Sequence, residues 1–261
     1  MLKERIISTI VGVPLIVAIL YTGGVYWIVF FALLGLGGLY EFNKMISKEY
    51  QPMWVFSILL MLIIMFHSYN DLLIPSLVLF MFIIVIYLVI KFPQTTIIDM
   101  ALSLLPALYL GFSLSFAILL NNQPHAFLIM LVLFLFTWSS DVGGYVFGRL
   151  WGKHKLAPLL SPNKTWEGSM GGIVLTIIAA VLLFNGAGLG HQNIVSIIIL
   201  GILSSIAAQL GDLFMSGVKR IFSIKDSGNL IPGHGGILDR FDSFLLVLPI
   251  VYCCIYYGKI L

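Results

Sequence analysis

Between Ser216 and Asp242 the chain reads SGVKRIFSIKDSGNLIPGHGGILDRFD, the densest run of polar chemistry in a sequence that is otherwise mostly apolar. Lys219, Arg220, Lys225 and Arg240 stand beside Asp226, Asp239 and Asp242, and His234 sits in a Pro-Gly-His-Gly-Gly turn between the charged clusters. Hydrophobic runs flank the stretch on both sides, which places these charges at a membrane surface. Cations and closely approachable glycine backbone suit a phosphate-bearing ligand, and grouped carboxylates suit a divalent metal.

Asp239 and Asp242 are three residues apart at the start of an apolar run. In a helix they share a face at the N-terminus, where the dipole favours anions. Two close carboxylates repel unless a cation lies with them, and Mg²⁺ held by one or two carboxylates plus substrate phosphates is the usual arrangement. The blander alternative is that both cap the helix and pair with Arg240. No Cys/His cluster has zinc-like spacing, and the adjacent Cys253 and Cys254 read as small apolar residues in a helix.

Asp141 and Asp212 each lie inside an otherwise apolar run. A charge there costs about 2.5–3.5 kcal/mol on insertion scales and is a functional hypothesis by default. Arg149 and Lys219 mark the helix ends nearby, so each carboxylate lies on the order of 10–12 Å below the cytoplasmic end. At helical spacing Ser205, Gln209, Asp212, Ser216 and Lys219 form one polar stripe, and Thr137, Asp141, Tyr145 and Gly148 form another. Interhelical packing competes with a water-filled notch as the reason for these stripes, and the acid on each favours the notch. A second polar loop, RLWGKHKLAPLLSPNKTWEG at 149–168, places Ser161, Asn163 and Lys164 as donors for a phosphate. Lys153, His154 and Lys155 read as orientation charges that contact anionic lipid. The loop 42–52 reads as a solvated turn, and His125 and His191 as exposed and inert.

The elements that must position these residues follow from composition. With 60% hydrophobic and 10% charged residues the chain does not resemble a soluble domain, which carries roughly 25% charged residues. Nine apolar runs, near 6–22, 25–43, 53–69, 73–91, 98–120, 126–148, 169–187, 193–218 and 243–258, are read as membrane-spanning helices. They are too long and lack the alternation for barrel strands. The first is read as an uncleaved span. With the N-terminus in the cytoplasm, every Lys and Arg except Lys259 falls on the cytoplasmic side, and the C-terminus falls outside. The expectation is an all-α polytopic membrane protein, one transmembrane domain over 1–261. Residues 1–125 are read as scaffold, and 126–261 as catalytic spans whose loops 149–168 and 219–242 share the cytoplasmic face.

The spaced pattern S-x-x-K-R, K-D, H-G-G and D-R-x-D resembles that of the phosphatidate cytidylyltransferases (CDP-diacylglycerol synthases). Ser216, Lys219, Arg220, Lys225, Asp226, His234, Gly235, Gly236, Asp239, Arg240 and Asp242 fill its fixed positions. Trp138 to Tyr145 match the family's W-x-x-D-x-G-x-Y run, and Ser161 to Gly168 resemble a further patch, so the resemblance covers roughly 137–243. The loop charges put the site on the cytoplasmic face, and a compact length without an organelle-targeting extension fits a bacterial inner membrane. The resemblance implies that phosphatidic acid attacks the α-phosphorus of CTP and expels pyrophosphate. It also implies Mg²⁺, with room for a second cation, and a homodimer; nothing in it calls for nucleic acid. On this reading Asp212 and Asp239 bind the metal, and Asp242 is a further ligand or orients the others. Lys219, Arg220 and Arg240 hold phosphates, Lys164 and Ser161 serve the other substrate, and His234 meets a phosphate or the ribose. The rivals are a CTP-dependent lipid kinase, which would transfer the γ-phosphate instead, and a transporter with acids on its ion path.

Overall fold

A computed structural model describes residues 2–67, 70–186 and 193–257, which leaves His191 and Lys259 outside the described residues. The described residues form nine α-helices: α1 (Leu2–Thr22), α2 (Gly24–Ile46), α3 (Trp54–His67), α4 (Leu73–Lys91), α5 (Ile97–Asn121), α6 (Ala126–Trp151), α7 (Trp166–Gly186), α8 (Ile194–Ile221) and α9 (Leu238–Tyr256). Six of them, α2 and α4 to α8, are long and apolar enough to cross a membrane. At about 1.5 Å per residue the 14-residue α3 reaches about 21 Å, short of the ~30 Å hydrocarbon core. In α9, Asp239, Arg240 and Asp242 occupy the opening turns and shorten its apolar part.

The loop 149–168 is not irregular throughout. β1 (Lys155–Ala157) pairs antiparallel with β2 (Ser161–Thr165), with Lys155 opposite Thr165 and Ala157 opposite Ser161. Trp166 N donates to His154 O at 2.9 Å, and His154 Nδ1 lies 2.6 Å from Glu167 Oε1, so the ends of the hairpin are tied together. His154, read from sequence as an orientation charge, therefore also closes this loop.

The fold divides into two compact units, one of Met1–Pro124 with Ile224–Arg240 and one of His125–Ser223 with Phe241–Leu261. By this division residues 224–240, most of the polar loop before α9, group with the N-terminal helices.

In the first unit α5 packs on α2 and α3, with α4 on α3 and α1 on α2. Trp27, Phe31, Met61, Met65, Leu110 and Leu114 fill its core. Gly111 lets α5 approach α3, because a Cβ there would lie 3.0 Å from the Met61 carbonyl oxygen. Trp27 Nε1 donates to Ala117 O at 2.8 Å and Gly24 N donates to Asn121 Oδ1 at 2.9 Å, tying the start of α2 to the end of α5. At the other end Thr96 and Asp99 form a reciprocal capping box on α5.

In the second unit α6, α7 and α8 pack against one another. Small residues set their spacing, as in many membrane helix pairs. A Cβ on Gly143 would lie 2.5 Å from Gly171 O and 2.8 Å from Gly172 Cα. Between α7 and α8, a Cβ on Gly201 would lie 3.0 Å from Ile177 Cα. Phe134 of α6 stacks on Phe244 of α9 with ring centroids 4.9 Å apart.

Candidate active site

The polar stripe on α8 divides into two parts. In the deeper part Ser205 Oγ lies 2.8 Å from Ser140 Oγ of α6, and Gln209 Nε2 donates to Ser205 Oγ at 3.1 Å and to Ser169 O at 3.1 Å. Ser169 Oγ donates to Gln209 Oε1. These direct bonds tie α6, α7 and α8 together, so packing accounts for this half. Thr137 of the α6 stripe likewise bonds back to Leu133 O and Phe134 O of its own helix, and Tyr145 OH accepts from Arg149 Nη1 at 2.7 Å.

The shallower part holds the charged groups. Lys164, delivered by β2, places Nζ 2.6 Å from Asp212 Oδ2, and both side chains are partly exposed. Ser216, one turn further along α8, donates Oγ to Asp212 Oδ1 at 3.3 Å. Asp141 and Asp242 lie close enough to Asp212 for each to feel its charge, with Lys164 acting on Asp141 and Lys219 on Asp242. Gly211 admits this arrangement, because a Cβ there would collide with Asp242 O. Arg220 Nε donates to Leu160 O at 3.3 Å and so holds the tip of the hairpin. Three carboxylates on three helices and two ammonium groups thus act on one another within this unit.

The first unit holds the other cluster. Around the turn, Ile231 N donates to Gly235 O at 2.9 Å and His234 N to Ile231 O at 3.0 Å, with Gly233 and Gly235 at φ of 74° and 88°. Those positive φ values favour glycine. His234 Nδ1 lies 2.8 Å from Ser8 Oγ and Nε2 lies 3.4 Å from Thr9 Oγ1, so α1 braces the turn. Arg240 Nε donates to His234 O at 2.9 Å. Asp239 Oδ2 accepts from Ser227 N at 2.8 Å, Ser227 Oγ at 3.0 Å and Gly236 N at 3.1 Å. That oxygen organises the loop, and the Gly236 N–H is directed at it. Lys225 and Asp226 are exposed, as is Asn163 in the hairpin; Ser161 beside it is half-buried.

The structure therefore gathers Asp141, Lys164, Asp212, Ser216, Lys219 and Asp242 in one unit, and His234, Gly235, Gly236, Asp239 and Arg240 in the other. Among the described residues no three His, Cys, Asp or Glu side chains form a ready-made metal cage. The donors still fit a hard divalent cation, since carboxylate oxygens are its preferred ligands and such an ion takes others from substrate phosphates. One carboxylate in the first unit escaped the sequence reading. Glu41 is 1% exposed and accepts from Ser227 Oγ, Ile237 N and Leu238 N at 2.9, 2.9 and 3.0 Å. Its position inside the apolar run 25–43 was the available signal, the same one that singled out Asp141 and Asp212.

Comparison with known sequences adds a chain-wide result. The profile of the Cytidylyltransferase family matches residues 3–258. The chain is 37% identical over 256 residues to a protein of Staphylococcus haemolyticus named phosphatidate cytidylyltransferase, covering 96% of this chain and 97% of that protein. A protein of the same name from Staphylococcus saprophyticus is 38% identical over 261 residues with the same coverage. The Staphylococcus aureus counterpart is 34% identical over 256 residues, again with that coverage.

Proposed function

The chain belongs to the cytidylyltransferase family, and from this premise we infer that it transfers the cytidylyl group of CTP to phosphatidate, giving CDP-diacylglycerol and pyrophosphate for phospholipid synthesis. A phosphate oxygen of the lipid forms the new bond to the α-phosphorus, the bond from that phosphorus to the α–β bridging oxygen breaks, and the electron pair leaves on pyrophosphate. The nucleophile is already ionised at neutral pH, so no general base is required. Two polyanions must be brought together, which makes charge neutralisation and alignment the main tasks of the protein.

The observation that carries this reading is the Lys164–Asp212 pair at 2.6 Å within a group of three carboxylates. On the family resemblance Asp212 and Asp239 would hold the divalent cation, with Asp242 as a further ligand or orienter; we assign magnesium. The ion supplies positive charge to the phosphates when bound. Lys164, with Ser161 and Asn163 beside it on the hairpin, orients one substrate, while Lys219, Arg220 and Arg240 hold phosphates of the other or of the departing pyrophosphate. Asp141 balances Lys164 and keeps its ammonium at the site. Gly235 and His234 shape the loop that carries Asp239, and Ser216 orients Asp212 through its hydrogen bond.

We further propose that all nine helices cross or enter a bacterial inner membrane, with the N-terminus and both polar loops in the cytoplasm, where CTP is found. The supporting observation is the distribution of Lys and Arg. A homodimer is proposed on the family resemblance.

CTP labelled at the α- or the γ-phosphate tests the reaction. In membranes supplied with phosphatidate, α-label is expected in the lipid and γ-label in released pyrophosphate. Lipid labelled from the γ position alone would replace this reading with a lipid kinase.

A further inference from the structure

Glu41 has no part in the reaction as derived so far, yet a buried carboxylate is costly unless its oxygens are hydrogen-bonded. Its partners come from both ends of one segment. Oε2 accepts from Ser227 Oγ at the start and Leu238 N at the end, and Oε1 accepts from Ile237 N. Leu238 opens α9, so Glu41, projecting from α2, also caps a helix that its own sequence neighbours do not belong to.

The loop is built around this contact. A Cβ on Gly228 would lie 2.5 Å from Glu41 Oε1, and one on Gly236 would lie 2.5 Å from Oε2 and collide with Ser227 Oγ. Neither position has a positive φ among those found in the chain, so close approach to Glu41 is what excludes a side chain there. Ser227 Oγ stands between Glu41 Oε2 at 2.9 Å and Asp239 Oδ2 at 3.0 Å, its hydroxyl proton reaching one carboxylate at a time. Glu41 is thereby linked through one serine to Asp239, whose Oδ2 holds Gly236 and the remainder of the turn.

We propose that Glu41 is a positioning residue for cytidylyl transfer, fixing the 227–238 segment so that Asp239, His234 and Arg240 are preorganised before substrate arrives. This rests on the functional reading above. It extends that reading to the N-terminal helices, since α2 through Glu41 and α1 through Ser8 hold the loop in place.

The test uses the full-length protein in lipid nanodiscs, comparing wild type with E41Q, E41D, G228A and the exposed control E49Q. Hydrogen exchange at Ile237 and Leu238 is read beside kcat and KM for CTP. An amide at position 41 keeps one acceptor and turns an N–H donor toward backbone donors. E41Q is expected to raise exchange in 227–238 by about tenfold or more, and to lower kcat by about 10- to 100-fold, because small misplacements of aligned groups cost that much. KM for CTP should stay within about threefold. E41D keeps the charge on a shorter arm and should recover part of kcat, and E49Q should match wild type.

If E41Q loosens the segment while kcat is unchanged, or leaves the segment protected, the proposal falls. Should E41Q fail to fold, G228A keeps the carboxylate but drives a methyl group against it; a wild-type kcat there also overturns the proposal. Absence of CDP-diacylglycerol formation by the wild type would instead count against the functional reading, and the exchange comparison would still decide whether Glu41 holds the loop.

Discussion

Gly143→Ala puts the α6–α7 contact to a sharp test. The added Cβ would lie 2.5 Å from Gly171 O and 2.8 Å from Gly172 Cα, where ordinary contact begins at 3.4 Å. Both neighbours are backbone, so no side chain can swing aside, and the helices must part by about 0.9 Å. Overpacking of this kind costs about 1–3 kcal/mol, and the better helix propensity of alanine returns up to about 1 kcal/mol. A net loss of about 1–2 kcal/mol corresponds to a fall in melting temperature of about 2–8 °C. The functional effect should exceed the effect on stability. α6 carries Asp141, while the hairpin that carries Lys164 leads directly into α7, so parting the helices moves Lys164 relative to Asp141. A displacement approaching 1 Å at an aligned site costs on the order of 100-fold in rate. Gly144→Ala is the matched control, its nearest neighbour being Gly168 O at 3.9 Å, and it should be neutral or slightly stabilising. Thermal unfolding in detergent and CDP-diacylglycerol formation from labelled CTP measure both effects. If Gly143→Ala is as stable and active as wild type, or Gly144→Ala is equally damaged, the close-packed glycine contact does not position the site.

Asp212→Asn and Asp239→Asn should each abolish divalent-cation-dependent turnover in a protein that still folds and inserts, as checked by titrating the cation at saturating CTP; normal rates in either would remove that residue from the metal's ligands. The Asp239 variant should also speed hydrogen exchange at Gly236, since its Oδ2 is the acceptor there. Trp27→Phe removes the Nε1 bond to Ala117 O and leaves a buried carbonyl without that donor, which should cost about 1–3 kcal/mol in unfolding experiments with little change in kcat. Lys48→Ala, at the exposed end of the first polar loop, should leave activity unchanged, and a large loss would mean that the site has been placed on the wrong residues.

Much of the architecture was readable in the residues themselves. Apolar runs near 20 residues define the helices, because a helix satisfies its own backbone and needs little beyond length and apolar side chains to exist. Ionisable residues inside such runs announce themselves by their cost, which is how Asp141 and Asp212 stood out and how Glu41 should have. The spaced cations, glycines and carboxylates from Ser216 to Asp242 carried the family resemblance without any coordinates. Other features were not visible. The hairpin 155–165 lacks the alternating pattern of a strand, and it forms because His154 and Trp166 join its ends. The stripe on α8 looked uniform, but whether a polar side chain meets a neighbouring helix or stays open depends on what that neighbour presents; Ser140 and Ser169 close one half, and Lys164 reaches the other. Helical periodicity reports which residues share a face and nothing about which helix that face meets. For that reason the grouping of the 224–240 loop with the N-terminal helices, through hydrogen bonds to a carboxylate nearly two hundred residues away in the chain, was decided by tertiary structure.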